Sequence, residues 1–436
     1  MNYPETLAFL YGQLPMFQRV GAAGFKDGLV GVQRLVEAMG HPERNFRAVH
    51  VAGTNGKGSS SHMLAAVLQA AGYRTGLYTS PHLREFTERI RLNGQELTPT
   101  YLVQWVEKWQ GLFEEVKPSF FEMCVALCYD YFSAEQVDIA VVEVGLGGRL
   151  DSTNIITPLV SLITNISYDH QAILGDTLPL IAREKAGIIK SNVPAVISQT
   201  QAEVAEVFTE VARQVGAPLL FADARYRAEL LHDNPSAATQ HLRVWRGQEV
   251  WFDDLELGLV GDYQRLNLPG VLATVEELRN QGFGITDKHV RLGLRSVQTL
   301  TGLRGRWQIV GRNPLVICDT GHNEAGIKLV MKQLARLQYG HLHLVLGMVN
   351  DKDPQPVLRL LPREATYYFC QASIPRALPV NDLLGYGQQL GLQGQAYASV
   401  ELALAAAREA AAPDDVVFVG GSTFVVAEVP DLYGAN

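Results

Sequence analysis

The chain alternates short apolar runs with longer segments in which apolar residues recur at helical spacing. Four runs in the first part are almost continuously apolar, at residues 48–53, 75–79, 139–144 and 159–166. Such runs suit strands that are covered on both faces, and the helical segments between them suit crossovers between parallel strands. The pattern therefore predicts an α/β fold with a doubly wound, mostly parallel sheet.

The pattern changes twice along the chain. Between residues 226 and 259 polar and apolar residues alternate around Trp245 and Trp251, which indicates antiparallel hairpins at the edge of the first domain. After residue 303 strands are predicted at 315–318, 342–346 and 367–370, with helices at 324–337 and near 356–361. A chain of 436 residues exceeds the usual size of one hydrophobic core. We therefore predict two domains, 1–299 and 300–436, the second a smaller Rossmann-like α/β domain.

The composition is that of an ordinary folded, soluble protein. Hydrophobic residues make up 47% and charged residues 19%, and the net charge is -8 without a long run of either sign. This charge pattern offers no surface for nucleic acid or an anionic membrane. Residues 1–9 lack the features of a secretory leader, and no window reaches the roughly 18 apolar residues of a membrane span. We expect a cytoplasmic protein that acts on small molecules.

The four cysteines are predicted to be buried, reduced thiols rather than metal ligands or disulfides. They are Cys124, Cys128, Cys318 and Cys370. Only the first two are close in sequence, at helical spacing in an otherwise apolar run.

The strongest local motif is a strand that runs into a glycine-rich turn and then a helix. The turn reads Gly53-Thr-Asn-Gly-Lys-Gly-Ser59. Glycines let backbone N–H groups point at phosphate oxygens, Lys57 adds a cation, and a hydroxyl of Ser59 or Ser60 can bind magnesium. The extra Gly58 between Lys57 and Ser59 argues against the usual kinases and GTPases. The motif predicts a P-loop for a nucleoside triphosphate, with a structural turn as the alternative.

Three further polar residues follow predicted strands. Glu143 ends the strand at 139–144, Ser80 follows the strand at 75–79, and His170 follows the strand at 159–166. Ligands of open parallel sheets bind outside the carboxyl ends of the strands, where the P-loop also lies. Beside phosphates, Glu143 is best interpreted as a magnesium ligand. The alternatives are a salt-bridged structural Glu143 and ordinary loop residues at the other two positions.

Lys185 lies on the apolar stripe of a predicted helix, together with Leu178, Ile181 and Ala182. A lysine that faces inward is costly unless it is paired, coordinated or modified, so a role in a site is plausible. The alternative is a side chain whose amine reaches back to solvent. Lys190 is expected to be an ordinary solvated charge.

The second half contains candidate groups near its start. Arg306 lies near the predicted domain boundary, where we expect a short hinge, and Asp319 ends the strand at 315–318, followed by His322. Arg306 suits the charge of a transferred phosphoryl group, and Asp319 or His322 suits a ribose or a nucleophile. A structural turn at 319–323 explains the same residues about as well.

Taken together, these motifs resemble those of the folylpolyglutamate synthase and dihydrofolate synthase family, which is related to the Mur peptidoglycan ligases. The likeness extends through nearly the whole chain. The matching segments are 53–59, Ser80-Pro-His-Leu83, Phe120-Phe-Glu122, Glu143-Val-Gly-Leu-Gly-Gly-Arg-Leu-Asp151, Asp169-His170, Arg183-Glu-Lys-Ala-Gly-Ile-Ile-Lys190, Asn267, Arg304-Gly-Arg-Trp307, Asp319 with His322 and Asn323, Asp351-Lys-Asp353 and Gly420-Gly-Ser-Thr-Phe424. The departures are Gly321, Glu324 and Tyr263, where the family usually has Ala, Pro and His.

The resemblance implies a role for each set of residues. The ATP ligands would be Asn55, Gly56, Lys57, Gly58, Ser59, Asn267, Arg306 and Asp319. The magnesium ligands would be Ser80, Glu143, His170 and a carbamylated Lys185. The pterin-bearing substrate would contact Ser119, Phe120, Phe121, Glu122, Leu150, Asp151 and Ser152. The catalytic set would be Lys57, Lys185, Arg306 and His322.

The implied reaction joins L-glutamate to the carboxylate of dihydropteroate and of reduced folates, with ATP and Mg²⁺ as cofactors. Residues 1–299 would form the ATP-binding Mur-ligase-like domain and residues 300–436 the glutamate-ligase domain of a monomer. Two alternatives within the class are a single-activity folylpolyglutamate synthase and a Mur-type ligase for another carboxylate. A nucleotide-dependent switch is the alternative outside it, but the chain has no N-K-x-D stretch for reading guanine.

Overall fold

The predicted alternation of strands and helices is present in both halves of the chain. The computed structural model describes residues 1–12, 28–234, 238–350 and 353–434. They divide into unit 1, Met1–Gly258 with Gln264–Gly302, and unit 2, Leu259–Tyr263 with Leu303–Asn436.

The segment 259–263 belongs to unit 2, although the sequence assigned it to the first domain. The reason is its hydrogen bonding: the backbone N–H of Asp262 donates to Gln333 Oε1 at 2.7 Å, and Gln333 Nε2 donates to the carbonyl of Val260 at 2.8 Å. Unit 1 in turn extends to Gly302 rather than to residue 299.

Eight strands of unit 1 form one sheet. They are β1 (Arg47–Ala52), β2 (Thr75–Tyr78), β3 (Ile90–Leu92), β4 (Gln95–Glu96), β5 (Ile139–Glu143), β6 (Val160–Ile163), β7 (Ala195–Ile197) and β8 (Leu219–Phe221). Their order is β4-β3-β2-β5-β1-β6-β7-β8, with all pairs from β2 to β8 parallel and β3 and β4 antiparallel at one edge. The predicted α/β fold with a mostly parallel sheet is confirmed.

Helices cover both faces of this sheet, as continuous burial of its strands requires. They are α1 (Tyr3–Gly12), α2 (Val30–Ala38), α3 (Lys57–Ala70), α4 (Pro99–Val116), α5 (Phe120–Ala134), α6 (Gln171–Leu174), α7 (Leu178–Ala186), α8 (Ala205–Val215), α9 (Gln264–Asn280), α10 (Asp287–Arg295) and α11 (Val297–Thr301), with 3₁₀ turns at Pro42–Arg44, Phe86–Arg89, Ser152–Ile155 and Ala222–Ala224. Helix α3 is buried on all sides from Ser59 to Leu68. The P-loop therefore leads into the interior of unit 1.

The segment predicted as hairpins forms a separate antiparallel sheet of β9 (Tyr226–Asn234), β10 (Thr239–Arg246) and β11 (Glu249–Leu257), in the order β11-β10-β9. The antiparallel prediction is correct. The three strands do not join the eight-stranded sheet. Instead, Arg246 donates to Glu276 of α9 at 2.7 Å, and the Tyr226 hydroxyl donates to the same carboxylate.

Unit 2 contains a six-stranded sheet in which β12 is antiparallel and all other pairs are parallel. Its strands are β12 (Gln308–Arg312), β13 (Leu315–Cys318), β14 (Leu342–Leu346), β15 (Thr366–Cys370), β16 (Gln393–Tyr397) and β17 (Val416–Gly420), in the order β12-β13-β17-β14-β15-β16. Its helices are α12 (Glu324–Leu334), α13 (Gln355–Leu358), α14 (Val380–Gln389), α15 (Val400–Ala410) and α16 (Thr423–Ala427), with a 3₁₀ turn at Pro430–Leu432. The second α/β domain is present as predicted.

All four cysteines are buried and free, as predicted. Across the described ranges, no helix combines the length and apolar character needed to span a membrane.

We expect alanine substitutions at two helical glycines to have opposite effects on the stability of unit 1. A Cβ on Gly293 of α10 would lie 2.5 Å from the Cα of Val67 in α3, whereas nothing lies within 4 Å of a Cβ on Gly111 of α4. We expect Gly293→Ala to destabilise unit 1 by about 1–3 kcal/mol, because a backbone must move. The matched Gly111→Ala should stabilise it by about 0.5–1 kcal/mol, because alanine restricts the unfolded chain. Urea unfolding followed by tryptophan fluorescence measures both, and equal effects would contradict this packing.

Candidate functional site

The P-loop joins β1 to α3 through a turn that only glycine fits at two positions. Gly53 and Gly56 have φ angles of 139° and 88°. A Cβ on Gly53 would lie 1.8 Å from Thr164 Oγ1, and one on Gly56 would lie 2.2 Å from Asn267 Oδ1. The loop thus packs tightly against residues from two other parts of unit 1, and the predicted strand, turn and helix are present.

Residues after β6 hold the first half of the P-loop. The backbone N–H of Asn55 donates to Asn165 Oδ1 at 3.1 Å, and the Asn55 carbonyl accepts from Thr164 Oγ1 at 2.6 Å and Asn165 Nδ2 at 3.1 Å. The hydroxyl of Thr54 donates to the carbonyl of Ser167 at 3.2 Å. Sequence reasoning missed Thr164 and Asn165, although the polar end of an otherwise apolar strand was a signal for them.

Residues of α9 hold the second half of the P-loop. Gln264 Nε2 donates to Ser59 Oγ at 3.1 Å, and Asn267 Nδ2 donates to Gln264 Oε1 at 2.9 Å. This arrangement brings Asn267 to the P-loop; the ATP contact that the family resemblance implies for it stays a prediction. Gln264 was not predicted, because no local pattern marks it.

Two lysine amines donate to the same carbonyl. Lys57 Nζ lies 3.1 Å from the Gly53 oxygen, and Lys185 Nζ lies 2.9 Å from it. Lys185 is only 4% exposed, so it faces inward as predicted. Burial, reinforced by the charge of Lys57, lowers the pKa of Lys185 to about 7, although Asp169 and Asp151 act in the opposite direction. Lys185 therefore carries a neutral amine in a large fraction of molecules near neutral pH.

Lys190 does not behave as the solvated charge that the sequence predicted. Its Nζ donates to the carbonyl of Asn154 at 3.1 Å, and burial lowers its pKa. Lys190, which lies beyond the end of helix α7 at Ala186, is therefore fixed to Asn154 in the 3₁₀ turn that follows Asp151.

Ser80 and Glu143 come together because they follow neighbouring strands, β2 and β5. Glu143 is 5% exposed, and its Oε2 accepts from the backbone N–H of Ser80 at 3.1 Å. His170 lies after β6 with its Nε2 3.7 Å from Asp169 Oδ1. The described ranges hold no cluster of three His, Cys, Asp or Glu side chains placed for a metal. The predicted set has only two such residues, Glu143 and His170, so its metal role stays a prediction.

The predicted substrate segment at 119–122 begins helix α5. Ser119 Oγ accepts from the N–H of Glu122 at 3.2 Å, and Glu122 Oε2 accepts from the N–H of Ser119 at 2.6 Å. This capping box gives both polar residues a structural role. Phe120 packs against Phe86 at a centroid distance of 6.0 Å and is buried. Phe121 is only partly buried, which makes it the best placed of the four to contact a ligand.

The second predicted substrate segment closes a glycine loop that spans residues 145–152. The carboxylate of Asp151 accepts from the N–H of Leu146 at 2.8 Å, from the N–H of Thr153 at 3.0 Å and from the Thr153 hydroxyl. Asp151 thus holds the loop itself, while Leu150 remains partly exposed and Ser152 is buried. A Cβ on Gly145 would lie 2.4 Å from Phe121 Cζ, so the two predicted segments touch.

In unit 2, the carboxylate of Asp319 accepts hydrogen bonds from nearby residues of the same unit. One carboxylate oxygen accepts from the Tyr263 hydroxyl and from the Trp307 N–H at 2.8 Å, and the other accepts from the Gly321 N–H at 2.7 Å. Burial raises the pKa of Asp319, and these hydrogen bonds act against the rise. Tyr263, noted as a departure from the family pattern, is thus a direct partner of Asp319.

Arg306, which precedes β12, and His322, which follows β13, both contact Thr320 in unit 2. Arg306 Nη1 donates to the Thr320 hydroxyl and to the Gly305 carbonyl at 3.3 Å, and His322 Nδ1 lies 3.1 Å from the Thr320 carbonyl. These contacts favour the alternative of a structural turn, and the ATP role remains a prediction. Of Asp351-Lys-Asp353, the first two residues lie outside the described residues, and Asp353 accepts from the N–H of Gln355 at 3.0 Å.

Because both amines donate to the Gly53 carbonyl, we expect the charge of Lys57 to affect the pKa of Lys185. Lys57→Met removes the neighbouring positive charge, so the pKa of Lys185 should rise from about 7 toward its ordinary value. Titration of ¹³Cε-labelled lysines by NMR measures this, with Lys185→Met to assign the resonance. The exposed Lys108 provides a control, since Lys108→Met should leave the titration of Lys185 unchanged. An unchanged pKa in Lys57→Met would show that the two amines are not coupled.

Known proteins resemble the chain along most of its length. The Mur ligase middle domain matches residues 51–275, and the Mur ligase glutamate ligase domain matches residues 305–423. The folylpolyglutamate synthase of Lacticaseibacillus casei is 33% identical over 98% of both chains. The dihydrofolate synthase/folylpolyglutamate synthase of Bacillus subtilis is 33% identical over 87% of this chain and 88% of its own. The chain spans 50% of the length of a probable bifunctional folylpolyglutamate synthase/dihydropteroate synthase of Haloferax volcanii, also 33% identical.

Solved structures agree with these relatives. FolC of Escherichia coli in complex with DHPP and ADP has a TM-score of 0.84 and 30% identity, covering 98% of this chain and 97% of its own. A bifunctional folylpolyglutamate synthase/dihydrofolate synthase with Mn, AMPPNP and L-glutamate bound has a TM-score of 0.83 and 29% identity over 98% and 97% of the two chains. The chain therefore belongs to the Mur ligase family, in its group of dihydrofolate synthases and folylpolyglutamate synthases, which are ATP-dependent amide ligases.

Proposed function

We propose that this protein uses ATP and Mg²⁺ to join L-glutamate to the carboxylate of dihydropteroate and of folylpolyglutamates, through an acyl phosphate. The observation that carries the proposal is the pair of lysine amines on the Gly53 carbonyl, at the end of the central strand. A nucleotide-dependent switch needs a P-loop only. It has no use for a second, buried amine beside the P-loop lysine.

The ligands of solved relatives support each substrate of this reaction. E. coli FolC binds DHPP and ADP, and a bifunctional relative binds Mn, AMPPNP and L-glutamate. We infer by similarity that this protein binds a pterin-bearing acid, a nucleotide with a divalent cation, and glutamate. We further propose that it works as a cytoplasmic monomer on these small molecules, without a nucleic-acid or membrane partner.

The donor set suits a hard divalent cation. Ser80 and Glu143 are adjacent and offer a hydroxyl and a carboxylate, and His170 adds an imidazole after the next strand. A carbamate on Lys185 would add an anionic oxygen, and the neutral amine that this modification requires is present near pH 7. A bound Mg²⁺ would neutralise negative charge on the triphosphate and on the acceptor carboxylate.

The chain's own residues would act mainly by position and charge. Lys57 would stabilise the charge that develops as an acceptor carboxylate oxygen attacks the γ-phosphorus and ADP leaves. The amine of glutamate then attacks the acyl carbon, phosphate leaves, and the amine loses a proton. Phe121 and Leu150 would contact the pterin-bearing acid, since both lie partly exposed at the loop 145–152. Roles for Arg306, Asp319 and His322 of unit 2 rest on the family resemblance.

The first experiment measures ADP release with ATP, magnesium and L-glutamate, in parallel with dihydropteroate, with tetrahydrofolate and with neither, and identifies the products by mass. We expect turnover with each acceptor and none with neither, and no turnover with either acceptor when L-glutamate is omitted. Turnover with tetrahydrofolate alone would instead support a single-activity folylpolyglutamate synthase. Failure with both acceptors would overturn the folate assignment and favour a Mur-type ligase for another carboxylate.

The carbamylation of Lys185 is testable through its pH dependence. Only a neutral amine reacts with CO₂, so with a pKa of about 7 its reactive fraction should rise from about a tenth at pH 6 to about nine tenths at pH 8. At fixed dissolved ¹³CO₂, a carbamate carbon signal should therefore grow between these pH values and disappear in Lys185→Arg. Lys190→Arg is the matched control and should retain the signal. A signal that survives Lys185→Arg, or none at pH 8, would contradict the modification.

A further inference from the structure

A buried histidine lies in the centre of the main sheet of unit 1. His50 is the fourth residue of β1, with Val142 of β5 and Ser161 of β6 on either side, and it is 0% exposed. Its Nε2 lies 2.9 Å from Thr153 Oγ1. Thr153 follows the loop 145–152 directly, so this bond links the strand that carries the P-loop to the proposed acceptor segment.

The direction of this hydrogen bond follows from counting protons. The hydroxyl of Thr153 donates to Asp151 Oδ1, and a hydroxyl has a single proton. Thr153 Oγ1 can therefore only accept from His50, and the proton must lie on His50 Nε2. The other ring nitrogen, Nδ1, is buried and has no hydrogen-bond partner in the described part of the chain. Burial, with the charge of Lys190, lowers the pKa of His50 to about 3, so the ring stays neutral.

A fixed series of two hydrogen bonds thus links the three side chains. His50 Nε2–H donates to Thr153 Oγ1, and the Thr153 hydroxyl donates to Asp151 Oδ1. Asp151 then accepts from the backbone N–H groups of Leu146 and Thr153. The Thr153 carbonyl is held as well, by the hydroxyl of Tyr129 at 2.8 Å. Each end of the loop 145–152 is therefore fixed by this series.

The loop that the series fixes touches two parts of the candidate site. Gly145 packs against Phe121, and a Cβ on Gly148 would lie 2.9 Å from the carbonyl oxygens of Glu184 and Lys185. A small displacement of the loop would change the positions of Leu150 and Phe121, which the proposed function assigns to the pterin-bearing acid. It would leave the P-loop contacts through Asn165 and Gln264 in place.

We propose that His50 is a positioning residue for the carboxylic-acid acceptor: through Thr153 and Asp151 it sets the position of the loop 145–152. The proposal rests on the function proposed above for that loop. A purely structural histidine would contribute to folding alone. A positioning residue must also change the KM for the acceptor while leaving the KM for ATP unchanged.

The test compares substitutions that remove or keep each hydrogen bond. His50→Leu and Thr153→Val remove one group each, whereas His50→Gln and Thr153→Ser keep a donor and a hydroxyl. We expect His50→Leu and Thr153→Val each to raise the acceptor KM about tenfold, as loss of a buried hydrogen bond allows. Because both act through one series, the double variant should show no further rise. His50→Gln and Thr153→Ser should restore most of the affinity.

A matched control is Thr274→Val, which removes another fully buried threonine hydroxyl, bonded to the Gly270 carbonyl at 2.8 Å in α9. It should leave the acceptor KM unchanged. Two results would overturn the proposal. One is a double variant whose rise in the acceptor KM equals the product of the rises in His50→Leu and Thr153→Val, and the other is an equal rise in the KM for ATP.

A second readout does not depend on activity, so it separates this inference from the proposed function. In ¹⁵N-histidine NMR of the free protein, the resonance lost in His50→Gln should belong to a neutral ring protonated at Nε2, without titration between pH 5 and pH 9. Thr153→Val should shift that resonance. An Nδ1-protonated or titrating ring would overturn the inference, whereas absent turnover of any acceptor by the unaltered enzyme would overturn the proposed function.

Discussion

The carbonyl of Gly53 is the contact on which the candidate site depends. It ends the central strand and accepts from two lysine amines, one from the P-loop and one from the buried face of helix α7. Burial of Lys185, reinforced by the positive charge of Lys57 on the same carbonyl, lowers the pKa of Lys185 and favours its neutral form. The neutral amine is the form that the proposed carbamylation of Lys185 requires. Position 53 also requires glycine, because any side chain there would collide with Thr164.

Several polar residues of the motifs shape the backbone of their own loops. Asp151 holds the loop 145–152, Glu122 caps helix α5, and Asp319 holds the turn of unit 2. In each case the carboxylate accepts from backbone N–H groups, which is how a loop without regular structure satisfies its buried donors. In unit 1, the proposed function then assigns the contacts with the pterin-bearing acid to the neighbours Phe121 and Leu150.

Local patterns in the sequence predicted the parts of the molecule that local patterns determine. The glycine spacing at 53–59 and the apolar stripe of Lys185 depend on neighbours in sequence, so the P-loop and the buried lysine were predictable. The pairing of Asn55 with Asn165, of Ser59 with Gln264 and of His50 with Thr153 joins residues more than a hundred positions apart. No periodicity marks such pairs. Strand β17 was missed although its residues 416–419 form the same continuous apolar run as the predicted strands; only its place between β13 and β14 depends on the tertiary fold.

We propose that ligation passes through an acyl phosphate formed on the acceptor carboxylate, and isotope transfer tests this step. Dihydropteroate labelled with ¹⁸O in its carboxylate is converted with ATP, magnesium and L-glutamate, and the released phosphate is examined by mass spectrometry. We expect each phosphate to carry one ¹⁸O from the carboxylate, because the oxygen that attacked phosphorus leaves with it. Unlabelled phosphate, or label that appears in AMP, would contradict it.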